Sequence, residues 1–197
     1  DLNFQTTGRM ETALMIATQN NDLESVKILM KYTDRIDPNL QDYKLRTALH
    51  IAVHYCSTGV LEFLIRQQNV DMNILDDFEL TPVFSTLYKH HFKYFDSMLI
   101  SYKERKMNLD YEKYEENNIN FEHRDHFSQN LLHYAIRCQY MSCLDEILKI
   151  YSINEPDSKG TNSFHQACSL GCIDIVKYLI DQLGTTTDEE ENNCIGL

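Results

Sequence analysis

The sequence predicts an all-α solenoid, built of stacked pairs of short helices with short β-turn fingers projecting along one edge. Three observations carry this prediction. One segment recurs five times along the 197-residue chain. Within each copy the apolar residues fall at helical spacing. Each copy holds only two short helices, too little to bury its own apolar face, so stability has to come from stacking on its neighbours.

The five copies are TALMIATQNNDLESVKILM from Thr12, TALHIAVHYCSTGVLEFLI from Thr47, TPVFSTLYKHHFKYFDSML from Thr81, NLLHYAIRCQYMSCLDEIL from Asn130 and NSFHQACSLGCIDIVKYLI from Asn162. Their starts are separated by 35, 34, 49 and 32 residues. The pattern resembles the ankyrin repeat, whose signature is T-P-L-H-x-A on a period of about 33 residues. The match is strongest at Thr47-Ala48-Leu49-His50-Ile51-Ala52 and persists at Leu132-His133-Tyr134-Ala135 and Phe164-His165-Gln166-Ala167. A D-x-N closing recurs as Asp1-Asn3, Asp37-Asn39 and Asp71-Asn73, and an Asp stands five residues before the start in four copies, at 42, 76, 125 and 157. The expected organisation is a single array over 1–197, with repeats near 7–39, 42–73, 76–100, 125–154 and 157–184.

Each element has a local reason. Thr12 and Thr47 can cap the first helices of repeats one and two through their hydroxyls, and Pro82 occupies a first helical position, where its missing N–H is harmless. In repeat two Leu49, Ala52 and Val53, then Leu61, Phe63, Leu64 and Ile65, form the apolar stripe. Small Ala17, Ala52, Ala135 and Ala167 let helices approach closely. Repeat three departs most, with Thr86 at that small position and His90-His91-Phe92 at the inter-helix turn, and is expected to be the loosest link. The family's turn glycine survives only as Gly160, while Met10, Leu45, Glu79 and Ser128 stand there in the other copies. Those turns either abandon a positive φ or keep it with strain.

The 49-residue step marks an insertion of about 101–118, SYKERKMNLDYEKYEENN. It reads as a second helix extended to about Met107 followed by an exposed acidic loop. Glu191–Leu197 reads as the entry to a further repeat and Asp1-Leu2-Asn3 as the tail of an earlier one, so the chain is expected to be a piece of a longer ankyrin-repeat protein.

Composition narrows the function. The formal charge is −12, which argues against direct nucleic-acid binding, because that affinity comes from Lys and Arg neutralising phosphates. No run has the apolar length that spans a bilayer, so no membrane contact is expected from this segment. Six cysteines lie without CxxC spacing, which fits core thiols in a reduced, cytoplasmic setting. His90-His91 with His123 and His126 would bind metal only if the insertion folded back between them. None of the P-loop, nucleophile-elbow or zincin motifs occurs, so no enzyme activity, cofactor or metal is expected. In the family resembled, His50, His133 and His165 are structural ties to the next finger.

The resemblance implies that partners dock on the concave surface formed by finger tips and first-helix faces. Mapped onto this chain, that surface comprises Tyr43, Lys44, Arg46, His54, Tyr55, Phe78, Tyr88, Lys89, His126, Phe127, Arg137 and Lys159. It extends to Arg9 and Glu11, to Asp77 and Leu80, and to Cys138. Six cations against two carboxylates make it locally positive, with aromatics interleaved as binding hot spots favour. The expected function is a scaffold or adaptor that binds a protein partner through an acidic, extended segment. The alternative is the regulatory ankyrin region of a larger enzyme or membrane protein, such as a channel or acyltransferase.

Overall fold

The computed structural model describes residues 1–32, 34–107 and 119–190, with side chains given except for 105–107 and 184–190. Its ten α-helices, among the described residues, come in pairs. They are α1 (Ala13–Gln19) with α2 (Leu23–Met30), α3 (Ala48–His54) with α4 (Thr58–Leu64), and α5 (Pro82–Tyr88) with α6 (Phe92–Met107). In the fourth repeat α7 (Leu131–Arg137) is followed by a 3-10 turn, Met141–Cys143, and a single turn of helix, α8 (Leu144–Ile147). The fifth pair is α9 (Ser163–Ser169) and α10 (Ile173–Glu190). The chain divides into two compact units, Asp1–Asp125 and His126–Leu197.

In the first unit the opening helices pack side by side, α1 on α3 and α3 on α5, and the second helices form a layer behind them, α2 on α4 and α4 on α6. Leu49, Leu61, Leu64, Phe84, Leu87, Phe95 and Met98 fill the space between the layers. In the second unit α9 lies between α7 and α10, around Leu132, Ile136, Leu144, Ile147 and Leu179. Ala17, Ala52, Ala135 and Ala167 are all buried, as the close approach of helices requires. Thr86 takes the same place with its hydroxyl turned back onto the Val83 carbonyl at 2.6 Å. Pro82 through Leu87 are buried without a break, so repeat three is packed as continuously as its neighbours.

Every first helix ends in the same way. The amide two residues past the C-cap returns to the carbonyl of the small residue, as in Asp22 to Ala17 (2.9 Å), Ser57 to Ala52 (2.9 Å), His91 to Thr86 (2.7 Å), Tyr140 to Ala135 (3.0 Å) and Cys172 to Ala167 (3.1 Å). This closure needs a left-handed residue just after the cap. Asn21, Cys56, His90 and Gln139 adopt it at φ 53–58°, and Gly171 does so at 66°. Cys172 therefore lies beyond α9, in the turn. The fingers require the left-handed region too. Met10, Leu45, Glu79 and Ser128 hold φ of 54–59° where the family has glycine, so these turns keep the geometry with strain.

Asparagines link successive repeats along the opposite side. Asn3 Oδ1 accepts the Asp37 amide (2.9 Å), Asn39 Oδ1 the Asp71 amide (2.9 Å) and Asn73 Oδ1 the Asn120 amide (2.7 Å). Asn120 thus restores the phase after the insertion, and Phe121, buried against Tyr102 at 4.8 Å, anchors the return. The extended second helix is described as far as Met107, as α6. The expected acidic loop from residue 108 and the expected partial repeat from residue 191 lie outside the described residues. No helix among the described residues is long and apolar enough to cross a membrane.

Candidate partner-binding surface

The second finger is a three-residue turn closed by Asp42 and Arg46, whose backbones pair at 2.9 Å. The buried Asp42 organises it. Its Oδ1 accepts the amides of Lys44 and Arg46, both at 2.9 Å, and its Oδ2 accepts Arg46 Nε at 2.9 Å and Nη2 at 2.7 Å. Burial works against the Arg46 charge, but the Asp42 carboxylate more than offsets it and holds the guanidinium above its ordinary pKa. The third finger repeats the turn, with Asp76 Oδ1 accepting the amides of Phe78 (2.9 Å) and Leu80 (3.0 Å). No arginine completes this finger, and burial raises the pKa of Asp76 despite those amides. In the fifth repeat Asp157 holds Lys159 and Thr161 in the same manner, at 2.8 and 2.9 Å.

Fingers join through single backbone bonds. Tyr43 N donates to Arg9 O (3.1 Å) and Asp77 N to Lys44 O (3.0 Å), while in the second unit Ser158 N donates to Phe127 O (2.8 Å). These bonds fix the direction of the tips. Tyr43, Phe78, Tyr88 and Tyr55 remain 41–55% exposed. Phe78 and Tyr88 stack at 6.3 Å with planes 29° apart. Lys44 Nζ lies 5.6 Å from the Tyr43 ring centre and Lys89 Nζ 5.4 Å from that of Tyr88, so each ammonium is held by an aromatic face. Among the described residues neither lysine has an ion-pair partner.

Between the second and third fingers and helices α3 and α5 these groups border a cleft of about 180 Å³. Lys44, Arg46, His54, Phe78, Tyr88 and Lys89, all read from the sequence as contact residues, line it, together with Asp76, Asp77 and Ser85. His54 feels burial first and then Lys89, Arg46, Lys44 and His91, which together hold its pKa below the usual imidazole value. In the second unit the remaining four are exposed on their own surface. His126 and Phe127 rings meet at 3.8 Å, Arg137 lies 4.2 Å over Tyr134 and donates to Gln129 Oε1 at 3.0 Å, and Lys159 projects from its finger.

The structure corrects three parts of the sequence reading. Arg46 is not a free cation, because Asp42 neutralises it from within the turn. Asp42 and Asp76, left out of the charge count, bring three carboxylates (with Asp77) against Lys44, Arg46 and Lys89, so the cleft is balanced rather than positive. Leu80 and Cys138, placed on the surface by repeat position, are buried, and Leu80 keeps only an edge in the cleft lining.

The tie histidines behave individually. His50 Nε2 donates to Leu80 O (3.0 Å) and His133 Nε2 to Thr161 O (3.2 Å), but His165 is exposed. Repeat three has Phe84 at that position, which leaves the buried Thr81 hydroxyl without a partner. There His123 reaches back instead, with Nε2 on Glu79 O at 2.9 Å and its ring edge-on to Phe84. His91 adds a tie that sequence reasoning missed, its Nδ1 donating to Val53 O at 2.9 Å beside Cys56 Sγ. The signal available in sequence was only a histidine at an inter-helix turn.

Comparison with known proteins agrees with this architecture. The family model described as ankyrin repeats, in three copies, matches residues 1–76 and 109–191. A stretch of 63 residues, 32% of this chain, is 33% identical to the human transient receptor potential cation channel subfamily A member 1, and the match covers 6% of that protein.

Proposed function

The chain belongs to the ankyrin-repeat family, whose repeats are generally protein-interaction modules, and from that premise we propose that it is a non-catalytic scaffold or adaptor module acting on the cytoplasmic side. Its partner docks on the finger tips and first-helix faces of the second and third repeats, through an acidic, extended segment. The observation that carries this reading is the exposed set of Tyr43, Phe78 and Tyr88 with Lys44 and Lys89 laid across their rings. Large aromatics at the centre of a patch supply most of the binding energy at interfaces, and unpaired cations around them select the sign of the partner. Asp42 and Asp76 are occupied by backbone amides, which leaves the two lysines as the groups free to meet an acidic chain.

The test is a comparison of wild type with the Lys44→Glu/Lys89→Glu variant as baits for partner capture, with bound proteins identified by mass spectrometry. The variant is expected to lose the specific partner and the salt sensitivity of its capture. A partner retained equally by both baits sinks the assignment.

A second reading is favoured by the 63-residue match to a cation-channel subunit: the array is the regulatory region of a larger membrane protein. Sequencing the full transcript discriminates the two, since this reading requires apolar spans of about 20 residues outside the segment described above.

A further inference from the structure

The cleft between the second and third fingers has features that a general docking face does not need. Ser85 on α5 is only 7% exposed, yet it lines both the cleft and a smaller recess at its base. Its hydroxyl opens onto the cleft, where it can donate a hydrogen bond to whatever enters. Around it stand the ammonium groups of Lys44 and Lys89, neither paired with a carboxylate among the described residues, and the imidazole of His54. Phe78 and Tyr88 form an apolar wall at the mouth.

We propose that this cleft seats one carboxylate side chain of the partner, held by the Ser85 hydroxyl and the Lys44 and Lys89 ammonium groups, and that its binding takes up a proton at His54. The proposal rests on the reading of this face as the dock for an acidic segment and adds what regulates it. Three cations and three carboxylates balance in and behind the cleft, so a fourth cation would tip it further toward an anion. His54 is the titratable group in position to supply it. Lys44 and Arg46 face it from the second finger, Asp76 and Asp77 from the third, Lys89 and His91 from the turn after α5, and Tyr55 abuts its ring at 4.9 Å.

The sign follows from linkage. Burial, and then the surrounding cations, lower the His54 pKa in the free protein and so favour its neutral form. A carboxylate seated beside it favours the imidazolium and moves that pKa back up. The complex then binds more protons than the free protein, so affinity rises as pH falls through the bound-state pKa and levels off below the free-state one. A glutamate ligand stays ionised over this window, because its own pKa is about 4.3.

Two probes test this directly: a fluorescent synthetic peptide of alternating glutamate and leucine, and its analogue with glutamine for glutamate. Anisotropy titrations at pH 7.5 and 5.5 and constant ionic strength should give roughly threefold to tenfold tighter binding of the glutamate peptide at the lower pH, and no gain for the glutamine analogue. His54→Gln should abolish the gain while preserving the affinity at pH 7.5. Ser85→Ala should weaken the glutamate peptide roughly threefold or more at both pH values while keeping the wild-type urea midpoint. Affinity that is independent of pH, or a gain that persists in His54→Gln, overturns the proposal. If Lys44→Glu/Lys89→Glu still weakens binding in that case, the docking face stands and only proton uptake fails. No binding of the glutamate peptide at either pH overturns both.

Discussion

His50 Nε2 donates to the carbonyl oxygen of Leu80 across 3.0 Å, joining residues 30 apart in sequence, while its Nδ1 faces the Thr47 hydroxyl at the same distance and the Thr47 amide at 3.3 Å. A carbonyl can only accept, so the bond fixes the proton on Nε2 and leaves Nδ1 to accept. The ring is buried and neutral, and it closes the N-terminus of α3 on one side and the third finger on the other. Removing it leaves the Leu80 carbonyl and the Thr47 amide without partners and opens a cavity. His50→Ala is expected to cost roughly 2–4 kcal/mol, read from the urea midpoint.

The same histidine sets a pH dependence. Burial lowers its pKa from 6.5 to about 4, despite the favourable bond to Leu80. The unfolded chain takes up a proton near the ordinary value and the folded chain does not, so the unfolded state holds more protons between the two. Stability contributed by this group is complete above about pH 6.5 and declines as pH falls toward 4, by roughly 3 kcal/mol in all. Urea midpoints measured from pH 7.5 to 4.5 should fall accordingly, and His50→Gln should flatten that slope. An equal slope in the variant assigns the acid sensitivity to other groups.

Asp42 is the second structural pivot. Its carboxylate holds two finger amides and the Arg46 guanidinium while fully buried. Removing one partner of such a pair strands the other, at a cost of about 3 kcal/mol or more. Asp42→Ala and Arg46→Ala should therefore both lower the thermal midpoint, and a double-mutant cycle should show strong coupling. Charge reversal at Arg46 would then weaken partner binding through loss of the finger, which is why Lys44 and Lys89 are the informative positions for affinity.

Much of the fold was legible because the repeat writes its packing into fixed positions. Thr12, Ala52 and Pro82 each announce a helix boundary or a close approach by residue type alone. The site was less legible. Lys44, Phe78 and Tyr88 could be placed by phase, but the neutralisation of Arg46 depends on a turn folding Asp42 back onto it, which composition cannot show. The replacement of the missing tie at Phe84 by His123 was equally hidden, because the two lie on different repeats and meet only after stacking. Leu80 and Cys138 went astray because repeat position gives the mean orientation of a side chain and local packing decides its burial.

The left-handed residues give a stability test. Leu45 and Glu79 hold φ of 55° and 59° with exposed side chains, and Cys56 does so at 58°. Glycine relieves a strain of about 1–2 kcal/mol per residue and gives part of it back as unfolded-state entropy. Leu45→Gly and Glu79→Gly should each stabilise by about 0.5–1 kcal/mol, and together nearly additively. Neither should affect ligand binding. Destabilisation in calorimetry would show that these side chains contribute contacts outweighing the strain.

The central claim is that partners engage the aromatic face of the second and third repeats, and a titration of the captured partner against Phe78→Ala/Tyr88→Ala tests it most directly. Both side chains are largely exposed, at 55% and 44%, so the variant should keep the wild-type urea midpoint. Affinity should fall by tenfold or more, in line with the loss of about 2 kcal/mol or more for hot-spot aromatics. Wild-type affinity in a folded Phe78→Ala/Tyr88→Ala protein would contradict the account.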